Sequence, residues 1–352
     1  MLVILKSKST NDEREQILKR VRQVGGTAEL FVPKEAVIVI NGCPPSLGDE
    51  ISALPAVASV KRDTDGQWLC SRERQPEDTV VEIGGRPIGG PAPPVLMAGP
   101  CAVESREQLF RIAEQVKRAG VGLLRGGAFK PRTSPYSFQG LGERGLELLC
   151  EVRERFDLPI VTELRDVGAM DLFVKYGIDL IQVGARNMQN FEMLRLVGQS
   201  GLPVLLKRNP ACSIADWLQA AEYILLEGNS QVVLCERGVL ASRGAETRYQ
   251  LDLAAVPIVK ELSHLPVVVD PSHASGDRRW VPPLARAAIA AGASGLLIEV
   301  HHAAEEALCD GPQSISPATL LRLVDNLQSH GYLPSKGRIL GPTRLRLIES
   351  AP

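Results

Sequence analysis

From about residue 95 to residue 330, short apolar runs recur along the chain and alternate with stretches whose apolar positions follow a helical period. The runs are VLMAGP, GLLRGG, PIVTEL, LIQVG, PVLLKR, QVVLCER, LPVVVDPSH and GLLIEVH. Within each, apolar residues stand side by side instead of alternating with polar ones, the mark of a strand covered on both faces in a parallel sheet. Between the runs, EQLFRIAEQVKRAG places Leu109, Ile112, Ala113 and Val116 on one helical face. Eight strand–helix units in ~250 residues predict a (β/α)8 TIM barrel. The rival, an open doubly wound sheet, usually carries GxGxxG after its first strand, whereas the first run here ends in GPC.

Residues 1–62 read differently. LVIL predicts a strand, Asp12 to Val24 a helix with Ile17, Leu18 and Val21 on one face, and AELF and AVIVI two strands around a turn at Pro33. A short helix over Ser46 to Leu54 and a strand AVASV complete the order βαββαβ of a small α+β ferredoxin-like domain. Residues 63–94 lose periodicity and are rich in turn residues, which predicts a linker with a hairpin at VVEIGGRPI. The catalytic barrel is expected over 95–335 and a C-terminal tail, without a structural reading, over 336–352.

Composition adds limits. The 352 residues are 44% hydrophobic and 23% charged with a net charge of −1, ordinary values for a globular chain. No global basic field points to nucleic acid or an anionic membrane, so an anion site must be local. No apolar run approaches a membrane span or a signal peptide, and seven cysteines without tight pairing suit a reducing cytoplasm. A cytoplasmic enzyme with no nucleic-acid or membrane partner is the expectation.

In a barrel of this kind the active site lies at the C-terminal ends of the strands. Those ends carry, in order, Cys101, Arg125, Glu163, Gly184 with Arg186, Lys207, Arg237, His273 and Glu299. The first, seventh and eighth strands become neighbours when the barrel closes, and they bring Cys101, His273 and Glu299 together. Asp310, in the loop ALCDGPQS, can reach the same corner. A thiolate, an imidazole and two carboxylates suit a borderline divalent metal; they exclude an all-oxygen calcium cage without choosing among manganese, iron, cobalt and zinc. His301 and His302 read as supporting or surface residues. Cys43, Cys70, Cys150, Cys212, Cys235 and Cys309 read as structural, with Cys309 the one possible exception because it precedes Asp310.

The other ends bring Arg125, Arg186, Lys207 and Arg237, and the loop GGAFKPRTSPYSFQG adds Lys130, Arg132, Thr133 and Ser134. Six cations at one mouth, beside hydroxyls, call for a phosphate or carboxylate ligand. Salt bridges to acidic neighbours would explain one or two of the six, not all.

FKPRTSPYSFQGLG, AGPCAVES, VTE, QVGARNMQNF, PVLLKRN, CERG, VDPSHASG and IEVHH together resemble the type I-beta 3-deoxy-D-arabino-heptulosonate 7-phosphate (DAHP) synthases, over about Val95 to His330. The related 3-deoxy-D-manno-octulosonate 8-phosphate synthases usually carry KANRS where this chain has KPRTS. The resemblance implies condensation of phosphoenolpyruvate with erythrose 4-phosphate, releasing phosphate, at the entry to aromatic amino acid biosynthesis. It carries the metal-ligand role to Cys101, His273, Glu299 and Asp310, with manganese the first expectation and iron, cobalt or zinc the alternatives. It carries phosphoenolpyruvate contacts to Arg125, Lys130, Ala185, Arg186, Lys207 and Arg237, and the aldose phosphate to Arg132, Thr133 and Ser134. Lys130 is expected to protonate the new alkoxide and Glu163 to orient the attacking water. The N-terminal unit resembles a regulatory module, which implies inhibition by tyrosine or phenylalanine and a homotetramer. The alternatives are the octulosonate synthase and a catalytically silent metabolite sensor. NPACSIADWL departs from the usual family wording at Cys212, beyond the catalytic positions.

Overall fold

The computed structural model describes residues 1–31, 36–61, 68–130, 134–241 and 246–334. The expected turn at Pro33, the loop residues Arg132 and Thr133, and the C-terminal tail lie outside them.

The first elements are β1 (Leu2–Leu5), α1 (Asn11–Gln23), β2 (Thr27–Phe31), β3 (Val37–Asn41), α2 (Ser46–Ser52) and β4 (Val57–Lys61). The sheet is antiparallel in the order β2–β3–β1–β4, so each helix connects two parallel strands with one strand between them. Thr10 starts α1 with a capping box: its hydroxyl accepts from the Glu13 N–H at 3.3 Å, and the Glu13 carboxylate accepts from the Thr10 N–H at 2.7 Å. Ile17, Leu18 and Val21 are buried against the sheet, as their spacing requires.

Next comes a hairpin, β5 (Val81–Ile83) and β6 (Arg86–Ile88). Its two turn residues, Gly84 and Gly85, have φ of 53° and 74°, the left-handed pair that a tight twisted hairpin demands. Val81, Ile83 and Ile88 are buried among Met97, Leu123, Val161, Leu180, Leu205, Val233, Val268 and Leu297, the inward side chains of the barrel strands. A Cβ on Gly84 would meet Pro159, and one on Gly89 would meet Pro266, residues that lead into barrel strands. The hairpin therefore closes the N-terminal end of the barrel. The stretch before it is tied down too. The Cys70 N–H donates to Glu222 at 2.7 Å, Arg72 donates to the Lys260 carbonyl at 2.9 Å, and His264 bonds both Thr79 and the Leu69 carbonyl at 2.7 Å. The described part of the expected linker is thus bound to the barrel rather than acting as a spacer, because its few apolar residues sit where the barrel's open end needs them.

The barrel follows: β7 (Val95–Gly99), α3 (Arg106–Arg118), β8 (Leu123–Arg125), α4 (Glu143–Phe156), β9 (Ile160–Leu164), α5 (Met170–Lys175), β10 (Leu180–Val183), α6 (Phe191–Gln199), β11 (Val204–Lys207), α7 (Ile214–Leu226), β12 (Val232–Glu236), α8 (Ala255–Leu262), β13 (Val267–Val269), α9 (Pro271–Ser275), α10 (Val281–Ala290), β14 (Gly295–Glu299) and α11 (Pro317–Ser329). All neighbouring barrel strands are parallel, and β14 pairs with β7 to close the ring. Leu109, Ile112, Ala113 and Val116 form the buried face of α3, whose first turn Ser105 caps. Closure of β14 onto β7 fixes the site, because it sets the first and last strand ends side by side.

Candidate active site

The metal corner is built by β7, β13, β14 and the loop after β14. Asp270, at the end of β13, caps α9 by accepting from the His273 N–H at 2.9 Å, and Pro271 preorganises that first turn. The same carboxylate takes the His273 Nδ1 at 2.6 Å, so Nε2 is turned toward Glu299, 3.4 Å away. Glu299 is held by Gln313 at 2.6 Å and Arg125 at 2.9 Å, and its N–H donates to Ser272. Asp310 adopts left-handed backbone with φ 50°, uncommon for a non-glycine residue, and its carboxylate accepts from the Cys101 thiol at 3.1 Å. Ligand atoms of His273, Glu299 and Asp310 all lie within 4.8 Å of one another, as do those of Cys101, Cys309 and Asp310. The four expected metal ligands therefore fall in two neighbouring donor groups that share Asp310.

This donor set fits a divalent ion. A carboxylate on Nδ1 fixes the imidazole with its Nε2 lone pair facing inward, the arrangement metal-binding histidines use. Opposing effects act on the acids. Burial pushes Asp310 up, but His273, the Cys101 thiol and Lys130 hold it at about 2. Burial likewise opposes ionisation of Glu299, and His273 and Arg125 overcome it, so its pKa lies below the usual range. Burial raises the Cys101 thiol, and Cys309 and Glu299 raise it further. Cys309 is held low by the Cys101 thiol and by Lys130. Cys309 thus does not sit in an ordinary core position: its Sγ is 3.0 Å from that of Cys101. His301 pairs with Glu104 at 3.4 Å and stacks on His302, and among the described residues neither joins a donor group.

Beside the corner opens a cavity of about 560 Å³. Lys130, Arg186, Lys207 and Arg237 line it, with Ser134, Glu163, Ala185, His273 and Asp310. Of the expected cations, Arg125 is ion-paired with Glu299 at 2.9 Å and Lys207 with Asp270 at 2.6 Å. Among the described residues, no carboxylate lies within ion-pair distance of Lys130 or Arg237. Arg237 lies over the Tyr249 ring at 4.4 Å, which fixes its plane without neutralising it. Gly127 explains the glycine-led loop. A Cβ there would fall 2.7 Å from the Lys130 stem and 2.8 Å from the Cys101 carbonyl, which accepts from the Lys130 ammonium at 3.3 Å. Gly184 similarly leaves room for Glu163, which Gln182 holds at 3.1 Å.

Several contributors were not singled out in the sequence. Asp270 lay three residues before His273 in DPSH, a spacing that could have flagged it as cap and partner. Arg248 and Tyr249 complete the cavity wall, 11 and 12 residues beyond Arg237 in the same loop. Arg208 bridges Glu236 at 3.0 Å and Asp252 at 2.9 Å, and Glu236 accepts from the Gly238 N–H, so the backbone on both sides of Arg237 is pinned. The order KR in PVLLKRN gave no sign that the second cation faces away from the cavity.

The sequence model of the DAHP synthetase I family matches residues 77–331. A phospho-2-dehydro-3-deoxyheptonate aldolase of Thermotoga maritima is 43% identical over 93% of this chain and 97% of its own length. A crystal structure of that Thermotoga maritima DAHP synthase superposes with a TM-score of 0.75 at 42% identity, covering 94% of this chain and 96% of the other. A 2-dehydro-3-deoxyphosphooctonate aldolase of Desulfosudis oleivorans is more distant, at 31% identity over 68% of this chain and 90% of its own. The family match begins before the hairpin and runs through every barrel strand and every site residue above, and the chain belongs to the DAHP synthetase I family.

Proposed function

We propose that the protein condenses phosphoenolpyruvate with erythrose 4-phosphate to give DAHP and inorganic phosphate, using a divalent metal with manganese first. The observation that carries this reading is one cavity where two possible metal-donor groups sharing Asp310 meet Lys130 and Arg237, cations with no carboxylate at ion-pair distance among the described residues. Arg186, Lys207 and Arg237 are suited to the carboxylate and phosphate of phosphoenolpyruvate, the Ala185 backbone to close contact beside them, and buried Arg125 to orienting Glu299 and reinforcing the positive field. Ser134 opens on the same cavity, and with Arg132 and Thr133 it is assigned to the aldose phosphate.

Cys101, His273, Glu299 and Asp310 would hold the ion, which supplies Lewis acidity toward an aldehyde oxygen. Carbon 3 of phosphoenolpyruvate then bonds the aldehyde carbon, water adds at carbon 2, and the hemiketal phosphate releases phosphate by C–O cleavage. Burial pulls the Lys130 ammonium toward losing its proton, yet Cys101 and Glu163 more than reverse this, so it stays charged and beside the corner. That suits it to protonate the new alkoxide; Lys130→Met should bind phosphoenolpyruvate and fail to turn over, and full turnover would discard the role. Glu163, oriented by Gln182, is assigned to the attacking water.

The decisive assay is phosphate release with erythrose 4-phosphate, before and after chelation and with manganese restored, and with arabinose 5-phosphate in parallel. Release that requires erythrose 4-phosphate and tracks the metal supports the proposal. Preference for arabinose 5-phosphate would favour the octulosonate reading, and no release with metal bound would favour a sensor. We also assign to the N-terminal unit inhibition by tyrosine or phenylalanine within a homotetramer, and to the enzyme a cytoplasmic setting that keeps its seven unbridged cysteines reduced. A truncation to test inhibition should begin near Trp68, since removing residues 68–88 would also take away the barrel's lower plug. Retained activity with unchanged inhibition would sink the regulatory assignment.

A further inference from the structure

We propose that Cys309 is itself a metal ligand, giving this corner a second thiolate that adds affinity for thiophilic divalent ions such as zinc or cadmium and adds little for manganese. The inference rests on the metal-corner reading and extends it. Two donor groups meet at Asp310. One is His273, Glu299 and Asp310, a nitrogen and two oxygens; the other is Cys101, Cys309 and Asp310, two sulfurs and an oxygen. The sulfurs are 3.0 Å apart, and Cys101 reaches Asp310 at 3.1 Å. Cys309 is 3% exposed and Cys101 2%, so neither faces solvent.

A buried cysteine usually serves as a small apolar filler. Cys309 does not have a filler's surroundings. Ala102 and Phe138 pack beside the pair, but its Sγ points to a thiol whose other neighbour is a carboxylate. The local backbone supplies the reason. Asp310 takes φ 50° and ψ 34°, and its carbonyl accepts from Gln313 and Ser314, so the chain reverses where Cys309 and Asp310 stand. Consecutive side chains thereby enter one corner, at the conformational cost of a non-glycine residue in left-handed backbone. Lys130, whose ammonium is fixed to the Cys101 carbonyl, and Arg125, paired with Glu299, offset part of the added negative charge. Soft thiolates select among divalent ions by ligand type, so a second one adds little for manganese, which suits oxygen donors.

Cobalt(II) titration of the chelator-stripped full chain, kept under a non-thiol reductant, counts thiolates directly, because the sulfur-to-cobalt charge-transfer band scales with their number. Cys309→Ser should still bind one cobalt with the band reduced to about half, and Cys101→Ser,Cys309→Ser should lose it, since the band comes from ligated sulfur alone. Zinc affinity of Cys309→Ser should fall about tenfold or more while manganese affinity holds. Cadmium NMR of the unaltered protein reports the same thiolate count by chemical shift, without a variant. An unchanged cobalt band in Cys309→Ser, with cobalt bound, overturns this proposal and leaves the metal corner intact. Equal losses of zinc and manganese affinity overturn the selectivity. A wild-type chain that binds no cobalt overturns the corner reading and this proposal together.

Discussion

Asp270 offers the sharpest perturbation, because one fully buried carboxylate serves both halves of the site. Its Oδ2 accepts from the Lys207 ammonium at 2.6 Å and from His273 Nδ1 at 2.6 Å, while Oδ1 accepts the His273 N–H at 2.9 Å. Asp270→Asn keeps the shape and removes the charge. With its amide oxygen in the Oδ2 place it still faces Lys207 and the imidazole but its NH2 opposes the His273 N–H; turned over, its NH2 opposes both Lys207 and Nδ1. Lys207, 3% exposed, loses its counter-charge. Removing one partner of a buried ion pair costs about 3–5 kcal/mol. For a chain of this length that corresponds to a fall in melting temperature of about 4–7 °C. The imidazole also loses its fixed tautomer, which should weaken metal binding by about 10–100-fold. Calorimetric titration with manganese and thermal melts of the metal-free variant read the two effects separately. Burial opposes ionisation of Asp270, but His273 and Lys207, with the His273 N–H, hold its carboxyl well below its usual range. Its folded-state pKa is depressed, so its contribution is present above the unfolded carboxylate pKa and is lost as pH falls through the folded value. The deficit of the variant should accordingly be constant from neutral pH upward and shrink in acid. A variant with wild-type manganese affinity and wild-type melting would refute the reasoning.

Gly184→Ala tests the placement of Glu163: a new Cβ would lie 2.0 Å from its Oε1, the mobile end of a side chain, so turnover should drop while stability changes by less than about 1 kcal/mol, as kinetics and melts will show. Ile88→Ala removes a fully buried part of the lower plug and should cost about 2–5 kcal/mol in denaturant unfolding, with the metal affinity of the folded protein unchanged. Glu222 holds the Cys70 N–H while burial raises its carboxyl above the ordinary range. A raised acid loses stability as pH climbs from the unfolded pKa through the folded one, so Glu222→Gln should gain on wild type across that window in pH-dependent melts; a pH-independent difference would count against it.

The barrel was legible because parallel strands buried on both faces must be apolar without interruption, and VLLK, VVLCE and GLLIE obey that rule. The ends of those runs were legible for the converse reason: a charged residue ending a buried strand sits at the barrel mouth unless it is paired. The pairing itself was not legible: Arg125 and Lys207 are ion-paired with Glu299 and Asp270, which stand 174 and 63 residues away. The hairpin could be read from EIGGRPI, since two adjacent glycines satisfy the positive φ of its turn, but its role as plug could not, because a three-residue strand carries no label for what it will cover.

The residues thus determined by themselves the repeating strand–helix units, the capped helices, the hairpin turn and the chemical types available at each strand end. These depend on local periodicity and on backbone preferences within a few positions. Tertiary structure alone decided which of those groups face each other. Closing β14 onto β7 brought Cys101 within 3.0 Å of Cys309 across 208 residues, and the curved sheet shared one Asp270 carboxylate between Lys207 and His273 and left Lys130 and Arg237 with no carboxylate at ion-pair distance among the described residues. Pairing, burial and charge compensation are properties of distance in space, and distance along the chain does not contain them until the barrel is shut.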